Sequence, residues 1–236
     1  MRDYGSLERQ FMDVLGASRA PVAVAFRDAP PEGVSPFAGM VPSGCTFWRL
    51  AAGGRSFYTV QKDHYNCPIG SYTHNVALPP ERAGELMRTL TLMSDVGYIR
   101  MEEIPGVFKL AAPPSVVVYA PLRDTPVDPD VVLFAGRPGR IMVLMEAAGR
   151  AGIAANLPML TRPTCMAIPA AMNQGSVASA GCIGNRVYTG LGEDEFYMAV
   201  PGSRLEALAL NLQTVSGANA TLAQYHEARL PLLELK

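Results

Sequence analysis

The stretch KDHYNCPIGSYTH (62–74) places His64, Cys67 and His74 within thirteen residues, in a chain with only three histidines and four cysteines. A histidine close to a thiol can share a metal with it, carry its proton or lower its pKa. The four cysteines, Cys45, Cys67, Cys165 and Cys182, all precede or enter turns that contain glycine or proline. Turns of this kind let side chains and backbone amides face a ligand. Thiolates select zinc, copper(I) or iron–sulfur clusters, and four of them match the donor set of a 4Fe–4S centre. The zinc-ribbon and ferredoxin spacings are absent, because no CxxC pair occurs. The competing reading is plain packing: free cysteine behaves as a small apolar residue, and a loop histidine commonly bonds to backbone.

A second segment, CIGNRVYTGLGEDE (182–195), sets Arg186 four residues after Cys182. Its guanidinium could hold a carboxylate or phosphate bidentately, or it could pair with Glu193, Asp194 and Glu195 as a structural clamp. His226, beside Glu227 in a late helical pattern, reads as a surface residue. FAGRPGR (134–140) has the look of an anion loop at a helix start but lacks the glycine patterns of nucleotide sites, so a simple turn is the better reading.

These residues must be positioned by a scaffold, and the composition supplies one. Of 236 residues, 49% are hydrophobic and 17% charged, with a net charge of −1, ample for one domain with a core. No Lys/Arg run is present to grip phosphates, which argues against nucleic acid. Charges near the N-terminus and the lack of an apolar run of roughly 20 residues argue against a signal peptide and a membrane span. The protein is therefore expected in the cytoplasm, where thiols stay reduced.

Helical spacing is read after Ser6, a candidate helix cap (Leu7, Phe11, Val14, Leu15), over CTFWRLAAGG (45–54), and after Pro79–Pro80 (Leu86, Met87, Leu90, Met93). It recurs over Ile141, Leu144, Met145 and Ala148, and after a Ser203/Glu206 capping-box pattern (Leu205, Leu208, Leu212). Strands are expected at 21–26, 56–60, 115–121 and 131–136, and in TCMAI and EFYMAV. Strands and helices alternate, which predicts an α/β or α+β fold around a mixed sheet in one domain, 1–236. A weak internal repeat suggests two halves, 1–112 and 113–236. Each has a cysteine, a double alanine, a glycine and a second cysteine, with cysteine separations of 22 and 17 residues. A pseudo-twofold axis between such halves would bring corresponding cysteines together at one shared site.

The ordered series PVAVAF, GGRSFY, DHYNCPIG, VVVYAPL, PDVVLFAGRPGRIMVLMEA, SAGCIGNRVYTG and EDEFYMAVP resembles the bacterial and archaeal family termed domain of unknown function number 169. The resemblance runs over roughly residues 7 to 212 and rests on a dispersed pattern. It implies family cysteines at Cys45, Cys67 and Cys182, a Gly-Cys-x-Gly-x-Arg-like segment at Gly181 to Arg186, and an acidic pair at Asp194–Glu195. This chain departs from the pattern at Ala51–Ala52, where the family has Ala-Arg, and in the Pro-Ile-Gly turn after Cys67. Arg49 and Arg55 are candidates to supply the missing guanidinium.

The leading expectation is an iron–sulfur centre held by Cys45, Cys67, Cys165 and Cys182, with His64 or His74 supporting or replacing a ligand and Arg186 steering a small anionic substrate. Two alternatives stand beside it. One is a metal-free thiol enzyme for redox or sulfur transfer, with Cys67 activated by His64 or His74. The other is a non-catalytic small-molecule-binding module whose cysteines serve packing.

Overall fold

The apolar runs β1 (Val22–Arg27), β3 (Val116–Pro121) and β4 (Val131–Gly136) lie side by side at the centre of one sheet. The computed structural model describes residues 2–16, 19–153 and 158–232. The remaining strands are β2 (Phe57–Val60), β5 (Met159–Leu160), β6 (Val177–Ser179) and β7 (Phe196–Pro201). The order across the sheet is β2-β3-β1-β4-β7-β6-β5, antiparallel throughout except for the parallel β5–β6 pair. This is the mixed α/β architecture expected from the sequence.

Strand side chains alternate between faces, and each face has its own core. Ala23, Val132, Phe134, Met198 and Val200 point to one face, covered by α1 (Tyr4–Leu15), α5 (Pro138–Arg150) and α8 (Leu205–Arg229). Val22, Val24, Val117, Tyr119, Val131, Leu133, Tyr197 and Ala199 point to the other. There they meet α2 (Cys45–Ala52) and α6 (Ala167–Gln174), with Cys45 and Cys165 inside the same core. α2 also packs on α7 (Ile183–Thr189), and its Trp48 sits edge-on to Tyr197 at 5.5 Å. β3 is buried along its whole length because both its faces are covered.

Three local expectations are corrected. TCMAI does not form a strand: Thr164–Met166 is a 3₁₀ turn that leads directly into α6. Its continuous apolar character reflects burial on all sides of a short helix, which periodicity cannot separate from a strand. Ser203 does not cap α8. It lies within a 3₁₀ turn, Gly202–Arg204, and Glu206 pairs with Arg2 at 3.2 Å. Ser6 is not the cap of α1 either; Asp3 is, accepting the Ser6 backbone N–H at 2.8 Å.

From its centre outward the sheet reads β1-β3-β2 on one side and β4-β7-β6 on the other. α2, β2 and α3 (Pro68–Thr73) follow one another in the first half, as α6, β6 and α7 do in the second. β3 nevertheless falls within 113–236 while pairing with β1 and β2, so the sheet binds the two stretches into one hydrogen-bonded unit. Among the described residues no helix is long and apolar enough to cross a membrane.

Candidate functional site: a cavity walled by four cysteines

A cavity of about 620 Å³ opens on the α2/α6 side of the sheet, and all four cysteines line it. Each comes from a different place. Cys45 is the first residue of α2, and Cys165 sits in the 3₁₀ turn before α6. Cys67 precedes α3 and Cys182 precedes α7, both as N-cap residues. All four are free thiols, Cys45 and Cys165 buried and the other two half-buried.

Hydroxyl groups join them in two pairs. The Ser43 hydroxyl lies 3.6 Å from the Cys67 sulfur and accepts the Cys45 backbone N–H at 3.4 Å. In the second pair, the Thr164 hydroxyl, next to Cys165 in sequence, accepts the Cys182 backbone N–H at 2.5 Å. The Gly70 N–H points at the Cys67 sulfur at 3.3 Å, and a Cβ at Gly70 would come within 2.8 Å of that sulfur. Glycine is thus required in the Pro-Ile-Gly turn by this close approach. The Cys165 sulfur faces the Ile69 carbonyl at 4.0 Å, linking the two halves of the cavity wall.

The electrostatics at the inner end are those of neutral thiols. Burial, reinforced by the nearby Cys67 sulfur, pushes the Cys45 thiol up to about 12. Burial raises Cys165 in the same way, with Cys45 and Cys67 adding to it. Asn185, 1% exposed, lies against the Cys45 thiol and lines the cavity. Neither its amide nitrogen nor its amide oxygen has a hydrogen-bond partner among the described residues. A buried amide left so costs free energy until something supplies an acceptor and a donor.

The expected histidines and arginine lie elsewhere. Neither His64 nor His74 lines the cavity. His64 is enclosed between Thr59, 2.9 Å from its Nε2, and Phe47, 5.3 Å between ring centroids. His74 gives its Nδ1–H to the Gly70 carbonyl at 2.9 Å. Burial holds both below the usual histidine range, His64 at about 3. Arg186 reaches the carbonyls of Gly192 and Ala180 at 2.5 Å each and of Glu195 at 3.2 Å, which is the clamp arrangement. Its contacts are to backbone rather than to the acidic side chains. Arg49 and Arg55 do not line the cavity, and Arg55 stacks over Phe37 and Phe57.

Sequence reasoning missed the cavity's outer wall. Residues 80–106 form a flap of one 3₁₀ turn, α4 (Glu85–Asp95) and a second 3₁₀ turn, Met101–Gly106. Leu86, Leu90 and Met93 line the cavity as their helical spacing predicts, whereas Met87 is exposed. Three contacts fasten the flap's far end. Arg162 donates to Glu103 at 3.1 Å and stacks over Tyr98 at 5.3 Å, and the Ile183 N–H donates to the Tyr98 hydroxyl at 3.3 Å. The amphipathic pattern of 86–93 was the one signal of this flap; nothing in it said what the apolar side would cover.

Among the described residues, no three His, Cys, Asp or Glu side chains gather closely enough to hold one metal ion. The four cysteines line one cavity without three of them closing on a single point.

The family profile of DUF169, described as uncharacterised ArCR, matches residues 10–211. No curated protein matches the chain, and no solved structure does.

Proposed function

The chain belongs to the DUF169 family, and from its cysteine-walled cavity we propose that it binds a thiolate-ligated metal centre, an iron–sulfur cluster held by Cys45, Cys67, Cys165 and Cys182. The observation that carries this reading is the convergence of four unpaired thiols, from four separate elements, on one cavity. Thiols are poor hydrogen-bonding groups, and packing alone gives no reason to face four of them into open volume. Soft, multi-atom metal centres are the ligands that use such a set.

The raised pKa values of Cys45 and Cys165 are compatible with the same reading. Without a cation, burial keeps Cys45 and Cys165 protonated. A metal centre supplies the positive charge that makes four thiolates affordable in an apolar pocket, and each thiol releases its proton on binding. A bound cluster, with each iron held by a thiolate, would supply electron transfer. The protein's own residues do the rest: Ser43 and Thr164 fix the cysteine backbones, Gly70 lets its N–H approach Cys67, and the flap limits access of water.

A metal-free thiol enzyme would need a base beside Cys67. The two nearby histidines are enclosed, lie outside the cavity lining and are held neutral. This weighs against that alternative. A reducing compartment such as the cytoplasm suits four free thiols.

The test is anaerobic reconstitution with ferrous iron and sulfide, applied to the wild type and to four single Cys→Ser variants. The reading expects an absorption band near about 400 nm, typical of thiolate-bound clusters, in the wild type, and its loss or weakening in every variant. A band unaffected by the four substitutions would overturn it.

A further inference from the structure

Above the sulfurs the cavity continues as a chamber under the flap. Its walls are apolar: Ile69, Leu86, Leu90, Met93, Ile104 and Val107 all face it. At about 620 Å³ the whole cavity is in the range of sites that enclose a small organic molecule.

The charges on its lining decide the class of occupant. Four charged residues line it: Arg100, Glu102, Glu103 and Arg162. They balance two against two and are paired with one another. Arg100 meets Glu103 at 3.0 Å and Glu102 at 3.8 Å, and Arg162 meets Glu103 at 3.1 Å. All four are at least one-third exposed on their side chains, so they belong to the mouth. Among the described residues every cation on the lining has a carboxylate partner; the Arg162 Nε is buried and without a hydrogen-bond partner, but its guanidinium is already paired with Glu103 at the mouth, and Arg186 is committed to backbone carbonyls outside the cavity lining. An anion passing inward from the mouth would lose its hydration with no free charge to replace it. An uncharged apolar body would gain from every square ångström it covers.

We propose that the chamber under the flap binds an uncharged, predominantly apolar organic molecule, whose inner end reaches the four-cysteine wall and whose entry passes the Arg162–Glu103 pair. This goes beyond the metal reading and rests only on the cavity being a ligand site, so it applies to metal-loaded and metal-free protein alike. An anionic substrate is not what this lining would select.

The probe is N-phenyl-1-naphthylamine, neutral near pH 7.5, titrated by fluorescence against the full chain with and without reconstituted iron. Its sulfonated counterpart 1-anilinonaphthalene-8-sulfonate serves as the charged comparison. The expected result is saturable one-to-one binding of the neutral dye, weakened about tenfold or more in Leu90→Trp and Ile104→Trp, which fill the chamber. Leu92→Trp, on the exposed side of the same helix, should bind as the wild type does. In unaltered protein, bound neutral dye should also slow modification of Cys67 and Cys182 by N-ethylmaleimide, a readout that does not depend on the variants folding. The proposal is overturned by no saturable binding, by tighter binding of the sulfonated dye, or by no protection of the two thiols. Dye binding without any iron uptake would leave this proposal standing and remove the cluster.

Discussion

Thr59 and His64 form a hydrogen bond of 2.9 Å in which both side chains are shut off from solvent. The Thr59 hydroxyl donates to the Val117 carbonyl at 3.3 Å, so its oxygen accepts the proton on His64 Nε2. This fixes a neutral imidazole within the aromatic packing of the α2 side and explains why the histidine nearest to Cys67 in sequence is not a cavity residue. The pairing has a measurable consequence for stability.

His64 is held at about 3 by burial, with His74 beside it lowered for the same reason. The unfolded chain takes up these protons near the ordinary histidine pKa of about 6.5, while the folded chain does not until far lower pH. Stability is therefore retained above about pH 6.5 and lost as pH falls from there toward 3. His64 alone contributes a slope of roughly 1.4 kcal/mol per pH unit. Urea unfolding across this window measures it. His64→Leu should flatten the slope, and an unchanged slope would contradict the enclosed, neutral assignment.

The cysteines should react in a defined order in metal-free protein. Cys67 and Cys182, half-buried at the N-caps of α3 and α7, should alkylate first with iodoacetamide. Cys45 and Cys165 should stay unmodified below pH 9 until the protein unfolds, because both are buried and their thiols raised. Mass spectrometry of peptides after timed alkylation reads the order directly.

Arg186→Met should destabilise the fold by about 1–3 kcal/mol, since a charged donor to three part-buried carbonyls is removed. Binding of iron by the variant that remains folded should be unchanged. Full stability with loss of binding would instead restore a ligand-holding role for this arginine.

Glu103→Gln should loosen the flap. The Arg162–Glu103 pair is one-third exposed on each side, so it contributes only about 0.2–1 kcal/mol. The expected effect is modification of Cys67 and Cys182 accelerated between one-and-a-half and about fivefold. No acceleration at low salt would mean that the flap is fastened mainly through Tyr98.

Particular elements show what was legible from the residues alone. The runs 116–121 and 131–136 announce buried strands because a strand covered on both faces has no reason to alternate. The four cysteines stand out in the sequence as soft, rare donors without disulfide or zinc spacing, and folding brings all four to the lining of one cavity. TCMAI misled because burial on every side erases periodicity in an eight-residue helix such as α6. The short helices α3 and α7 went unseen for a related reason: six and seven residues are too few to display a face. Asn185, Ser43 and Thr164 were invisible because their importance lies in what folding places beside them. His64 and His74 drew attention by proximity in sequence, yet local chain geometry turns both rings into the core. The palindromic strand order around β1 and β4 matches the order of cysteines in the two similar segments, and an internal duplication is our proposal for its origin.

The most direct test of the central claim is to quantify iron and acid-labile sulfide per chain in protein purified anaerobically, with its electron paramagnetic resonance spectrum recorded before and after dithionite. The account predicts iron and sulfide in equal amounts, several of each per chain, and a signal that appears or vanishes on reduction. Protein that contains neither iron nor sulfide, and takes up neither on reconstitution, would contradict it.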